Sequence, residues 1–184
     1  MKGTSPRLSV KEVTAKTWPD FEALFESKGA PSYCWCMAWR ATAEEKRSIT
    51  NAARKRAMKE RVDSKTPVGL IGYLNKEPVA WCSVAPSTTH HRLRKDVEPS
   101  ESVWSITCFF IRREHRGQAL MKTILQAAIR HAKKRGAKVL EGYPVDPESP
   151  SYRFMGFVPM FKEAGFREVA RAGTRRHVVR RRAE

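Results

Sequence analysis

Residues 101–135, ESVWSITCFFIRREHRGQALMKTILQAAIRHAKKR, constrain the fold more than any other part of this chain. An apolar run at 103–112 passes through a short basic turn, His115-Arg116-Gly117-Gln118, directly into an amphipathic helix at 117–134. In that helix Met121, Leu125, Ala128 and Ala132 share one stripe, with Ile124 and Ala127 beside it, and Gly136 supplies the stop. A strand that hands over to a helix through such a turn builds an anion site. The first N–H groups of the helix have no intrahelical acceptor, and the helix dipole adds partial positive charge there. A phosphate-bearing ligand suits that arrangement.

The remaining periodicities place elements on either side. Residues 8–13 alternate as a strand, and Thr17 opens a helix that has Pro19 in its first turn, buries Phe21, Leu24 and Phe25, and stops at Gly29. An aromatic loop follows, from Pro31 through Tyr33-Cys34-Trp35-Cys36-Met37 to Trp39. A basic helix at 43–62 has few apolar points: Ile49, Ala52, Ala53, Ala57, Met58 and Val62. Two β-rich runs, 68–74 and 78–85, are joined by Asn75-Lys76-Glu77 as a hairpin, and 87–100 is a polar loop. Past the central helix come a strand at 137–145 interrupted by Pro144, a loop at 149–157, a short helix at 159–164, and strands at 166–171 and 177–181. The order is β-α-α-β-β-β-α-β-α-β-β, an α/β (α+β) chain of one domain spanning 1–184.

With 184 residues and 41% hydrophobic content the chain is long enough for a substantial core. It has no stretch of roughly 20 apolar residues to span a bilayer. The first ten residues lack the apolar segment of a secretory signal, so a cytoplasmic location is the default expectation and no membrane partner is expected. Lys and Arg number 36 against 19 Asp and Glu, a formal net charge of +17. That excess suits an acidic ligand, a nucleic acid or an acidic protein surface. It concentrates at 46–65, which reads equally as a solvated face, and in the run Arg167, Arg171, Arg175, Arg176, Arg180, Arg181, Arg182. No zinc-finger spacing, RNA-recognition signature or helix-turn-helix accompanies it, so nucleic-acid binding would be salt-dependent and unspecific. Cys34-Trp35-Cys36 has no second pair, and only His90-His91 offers ligands from afar, so no metal is expected. Cys82 and Cys108 sit in strand patterns as buried thiols.

The element order, with a basic turn between central strand and central helix, resembles the GNAT superfamily of N-acetyltransferases. The pyrophosphate loop of that superfamily reads Arg/Gln-x-x-Gly-x-Gly/Ala, and the matching segment here is Arg116-Gly117-Gln118-Ala119-Leu120-Met121. The Gly-Phe pair that follows the family's short fourth helix stands here as Gly165-Phe166. The segment RGAKVLEGYPVD and the loop with Cys34-Trp35-Cys36-Met37 resemble one bacterial subgroup. The resemblance implies a GNAT-like mixed, mostly antiparallel sheet flanked by helices, with acetyl-CoA as co-substrate. It also implies a central strand whose backbone at Phe109, Phe110 and Ile111 holds the pantetheine arm. The turn Arg116, Gly117, Gln118, Ala119, Leu120, Met121 would hold the diphosphate. Ala119 and Met121 stand where the family has Gly and Gly/Ala, and an alanine is accommodated there if its φ is negative.

The catalytic positions depart further from the family. Ser105 occupies the place of its usual glutamate base, and Phe161 that of its tyrosine acid. Direct attack of an amine on a thioester needs chiefly a neutral amine, an oriented carbonyl and a route for the proton. Local candidates for that proton are Glu141, Tyr143 and Tyr152, each with an alternative as a structurally hydrogen-bonded group. Cys108 beside the thioester could serve as a nucleophile, but an apolar strand raises a thiol's pKa, and packing is the better account of it. Trp35 and Trp39 stand where the family binds its acceptor; they either stack on substrate or roof the core. The expected activity is N-acetylation of a primary amine of a small molecule or protein by direct attack, with neutral or acidic acceptors favoured by the positive field. Alternatives are a basic nucleic-acid- or ribosome-associated protein, and a catalytically silent acyl-CoA-binding protein. The oligomeric state is open, a homodimer included.

Overall fold

The computed structural model describes residues 7–47, 50–91, 93, 100–117 and 119–184. Its strands are β1 Ser9–Glu12, β2 Gly69–Leu74, β3 Glu77–Pro86, β4 Val103–Ile111, β5 Val139–Gly142, β6 Arg167–Ala172 and β7 Arg176–Arg182. They form one sheet of seven strands in the order β1-β2-β3-β4-β5-β7-β6. Every neighbouring pair is antiparallel except β4 and β5. The helices are α1 Trp18–Glu26, α2 Asn51–Asp63, α3 Leu120–Lys134 and α4 Val158–Glu163. Element order and the mixed, mostly antiparallel sheet are as the sequence led us to expect.

Successive strand residues point to opposite faces, and two cores follow from that alternation. On one face Ile124, Leu125 and Ala128 of α3 join Leu70, Cys82, Ile106 and Phe109. On the other, Phe21 and Phe25 of α1, Trp35 of the aromatic loop and Met58 of α2 join Ile71, Trp81 and Phe110. Phe109 and Phe110 therefore anchor β4 to both layers at once.

The central helix, expected from 117, begins at Leu120, and two further boundaries differ from expectation, each for a local reason. The helix expected at 43–62 divides into a 3-10 turn, Glu45–Arg47, and α2. Thr42 and Glu45 close the turn reciprocally, the Thr42 N–H donating to the Glu45 carboxylate at 2.7 Å and the Glu45 N–H to the Thr42 hydroxyl at 3.2 Å. Thr50 then caps α2, its hydroxyl accepting from the Ala53 N–H at 3.2 Å. Ile49 lies outside the described residues. The strand expected at 137–145 ends at Gly142, ahead of Pro144, and Val145 forms only an isolated parallel bridge with Phe157.

That early end shapes the centre of the molecule. β4 pairs with β3 from Trp104 opposite Pro86 to Ile111 opposite Ala80. It pairs with β5 only from Val103 opposite Val139 to Ile106 opposite Gly142. A bulge accompanies the change: Ser83 faces Cys108 and Val84 faces Ile106, leaving Thr107 as the extra residue. Bulges bend a strand and sharpen its twist. Beyond Ile106, β4 leaves β5 and a wedge opens between them.

Candidate functional site

An open cleft of about 840 Å³ fills that wedge. Cys108, Phe109, Phe110 and Ile111 of β4 form one wall, with Arg116, Gly117, Ala119, Leu120 and Met121 at its end. Cys36 and Trp39 of the aromatic loop, and Phe154 and Phe157 beyond β5, close the other sides. A smaller hollow of about 310 Å³ between the aromatic loop and α2 reaches neither β4 nor the turn before α3.

The turn before α3 has the geometry of an anion cradle. Gly117 has φ +81 and Ala119 φ +56, and among the described residues the first intrahelical bond runs from the Thr123 N–H to the Ala119 carbonyl. Leu120, Met121 and Lys122, the first residues of α3, all line the cleft end, where the helix dipole favours negative charge. Arg116 ties the turn to the strand through its Nε, which donates to the Ile111 carbonyl at 3.0 Å. Met121 is partly buried against the core while lining the cleft. Gln118 lies outside the described residues. One expectation is corrected here: Ala119 does not take a negative φ. It occupies the left-handed region, at a cost of about 1–2 kcal/mol for a residue with a Cβ.

The structure brings Phe109, Phe110, Ile111, Arg116, Gly117, Ala119, Leu120, Met121 and Trp39 to one cleft. It seats the other candidates elsewhere. Trp35 is buried between Phe25, at a ring distance of 5.5 Å, and Trp18, at 6.3 Å. Glu141 is only 3% exposed; its Oε2 accepts from Arg180 Nε at 2.5 Å and its Oε1 from the Tyr143 hydroxyl. Neither Glu141 nor Tyr143 lines the cleft. Tyr152 stands beside Trp39 at 6.3 Å, and the Arg176 guanidinium lies over both rings. Ser105 is buried with a hydroxyl that has no hydrogen-bond partner among the described residues, while Phe161 packs edge-on against Phe109. No acid or base stands at either of these two positions.

A polar network under the cleft escaped the sequence reading. Trp35 and Cys36 both take left-handed backbone, with φ of 48 and 56, and this turns the Cys36 side chain inward. Four residues later Arg40 is 1% exposed. Its Nη1 donates to the Cys36 carbonyl at 3.0 Å and to the Cys36 sulfur at 3.3 Å. Its Nη2 donates to the Val68 carbonyl at 2.6 Å and to Ser83 Oγ at 2.8 Å. Ser83 Oγ meets Thr107 Oγ1 at 2.7 Å, and Thr107 approaches His90 Nε2 at 3.5 Å. The Cys36 thiol is lowered to about 6, first by a hydrogen bond from Cys108 and then, against the opposing effect of burial, by the Arg40 charge. The Trp81 indole N–H, which lacks a well-aligned acceptor, turns its positive end to the same sulfur. Cys108 is pushed well above the ordinary thiol range, as its place in the strand led us to expect, chiefly because it serves Cys36. Burial and Arg40 hold His90 neutral. The one sequence signal for this network was an arginine directly after an aromatic, cysteine-bearing loop with no acid beside it.

Several arginines near the end of the chain have partners within the fold. Arg180 pairs with Glu141, Arg181 donates to the Ala164 carbonyl at 2.5 Å, and Arg171 contacts Glu168 and His177. Among the described residues no helix is long and apolar enough to cross a membrane.

Comparison with known proteins agrees with this geometry. Residues 16–157 match the acetyltransferase (GNAT) family. A putative acetyltransferase from Salmonella typhimurium, yncA, solved with its cofactor acetyl-CoA, superposes with a TM-score of 0.59 at 14% identity, covering 96% of this chain and 94% of that one. An N-acetyltransferase from Staphylococcus aureus gives 0.58 at 9% identity, with 97% and 99% covered. The ribosomal-protein-S18-alanine N-acetyltransferase of Escherichia coli gives 0.52 at 9% identity, with 95% and 91% covered. At these identities the neighbours show a shared fold. No curated protein matches the sequence. The family match spans the split strand, the turn and the helix it opens, and on that basis the chain belongs to the GNAT family of acetyltransferases.

Proposed function

We propose that the protein is an acetyl-CoA-dependent N-acetyltransferase that moves an acetyl group onto a primary amine of a small molecule or protein by direct attack. One observation carries this reading: β4 parts from β5 after Ile106, and the gap runs to the amides that open α3. A thioester-bearing arm fits along the free edge of β4 at Phe109, Phe110 and Ile111, with main-chain groups as its partners. The turn from Arg116 to Met121 would take the diphosphate, Gly117 allowing close approach because nothing lies within 4 Å of the Cβ it lacks. The neighbour from Salmonella typhimurium, described with acetyl-CoA, supports the choice of donor. The neighbour that acetylates a ribosomal protein's alanine keeps a protein amine within the acceptor class. Trp39 is the acceptor-side wall we favour, with Tyr152 and Arg176 behind it. Glu141 and Tyr143 bind each other and Arg180, which supports a role in joining β5 to β7. The overall positive field favours neutral or acidic acceptors in a cytoplasmic setting.

The test has two halves. Acetyl-CoA should raise the melting temperature of the purified protein, and the protein should be retained on immobilised CoA. Neither effect appearing would remove the donor from this reading. A panel of primary amines, followed by release of free CoA thiol, then tests turnover. Ser105 and Phe161 favour a second reading, a catalytically silent acyl-CoA-binding protein, which turnover of any amine excludes.

A further inference from the structure

Beneath the cleft lies a charge that the donor does not explain. Arg40 is fully buried, and among the described residues no carboxylate pairs with it. Its Nε has no hydrogen-bond partner among the described residues. A buried guanidinium is costly unless a counter-charge lies beside it. The acidic group in contact with it is the Cys36 sulfur, at 3.3 Å. Two consecutive left-handed residues with side chains hold that sulfur in place, and such strain persists only where the surroundings over-determine it. Cys36 lines the cleft together with Cys108, the residue just before the proposed thioester-binding edge.

We propose that Cys36, whose sulfur lines the cleft in contact with the buried Arg40, is its proton-transfer group. The proposal rests on the acetyl-CoA reading above. The amine lone pair forms the C–N bond, and the thioester C–S electron pair departs with the CoA sulfur. The amine N–H breaks, its proton passes to Cys36 and then on to the CoA thiolate, so Cys36 returns to its starting state. No oxidant or further reactant is needed. An ordinary alkyl thiolate, with a pKa of about 8.5, is basic enough to reclaim the proton. One sulfur thereby serves as both base and acid where Ser105 and Phe161 supply neither.

The groups around Cys36 favour this assignment. Arg40 is the cation; Cys34 on the same loop, Cys82 on β3 and Cys108 on β4 are all raised thiols; and His90, facing Arg40, is neutral. Cys36 is the one member of that set drawn into the ionised form near neutral pH.

Alkylation and turnover together test the proposal on the full chain. With iodoacetamide as probe, Cys36 should react with a midpoint near 6, ahead of the other three cysteines, and CoA should slow it. The Cys36→Ser variant should keep the CoA-induced melting shift. With ethylamine, glycinamide and an alanyl peptide as acceptors, it should lose about 10²-fold or more in kcat at neutral pH, together with the acidic limb of the pH profile. An ordinary thiol profile, absent CoA protection, or a Cys36→Ser variant with the parent's rate and pH profile would overturn the role of Cys36 and leave the acetyl-CoA reading standing. Absence of a CoA shift, or of turnover with every amine, overturns both.

Discussion

Two turns with left-handed backbone line the cleft, and they are supported in opposite ways. Gly117 and Ala119 form an exposed turn whose conformation is held by Arg116 and by the helix it opens. Trp35 and Cys36 form a buried one, held by ring packing on one side and by Arg40 on the other. The exposed turn is built mainly from backbone, so its geometry is written locally in glycine and in the start of a helix. The buried turn depends on tertiary contacts: Arg40 reaches Val68 and Ser83, which are 28 and 43 residues away. If the comparison is right, damage to the second turn should spread through the fold, while changes to the first should remain local.

The largest effect should come from Arg40→Met. It removes four hydrogen bonds and leaves the Val68 carbonyl and a Cys36 thiolate without their buried donor. Losing one partner of a buried charged pair costs about 3–5 kcal/mol, readable by urea denaturation. A loss below about 1 kcal/mol would mean that the buried turn stands without its arginine, and the contrast between the turns would fail.

The pH dependence of that pair sharpens the point. Cys36 is lowered to about 6 from an ordinary 9.0. Between these values the unfolded chain holds the proton and the folded one does not, so the native state gains stability as pH rises. The pH-dependent part of the stability difference between the wild type and Cys36→Ser should be smallest below pH 6 and grow as pH rises toward 9. Comparing the two proteins at each pH cancels His90, whose lowered value also erodes stability in acid. A difference flat across that window would show that Cys36 is a neutral thiol.

The same contrast explains what the sequence could show. The stripe of α3, the order of elements and the turn from Arg116 to Met121 were legible because period and glycine placement are local signals. The early end of β5 was foreshadowed by Pro144. Arg40 was not legible, since an arginine in a basic chain reads as a solvated one until the acceptors that bury it are known. The position of Trp35 was undecidable for a related reason: an aromatic ring serves a pocket or a core equally well, and only Phe25 and Trp18 packing around it decides. Glu141 had the composition of an acid–base candidate, but its cross-strand neighbour Arg180 is visible only in the register of β5 against β7. The division of the expected 43–62 helix turned on Thr50, whose capping role depends on the chain turning there.

In the exposed turn, effects should be small and opposite in sign at its two left-handed positions. Gly117→Ala places a Cβ in open space at φ +81, so its cost, about 1 kcal/mol, is conformational alone. Ala119→Gly does the reverse. It relieves about 1–2 kcal/mol of left-handed strain and returns about 0.5–1 kcal/mol through the greater freedom of glycine in the unfolded chain. The balance is a gain of up to about 1.5 kcal/mol, seen as a slightly higher denaturation midpoint with an unchanged slope. Removing the methyl also clears the backbone beside the helix amides, so CoA affinity should rise or hold, and should not fall. If Ala119→Gly destabilised the protein instead, the alanine methyl would be making contacts that outweigh its strain. The exposed turn would then be sustained by tertiary packing as the buried one is, and the two turns would differ only in depth.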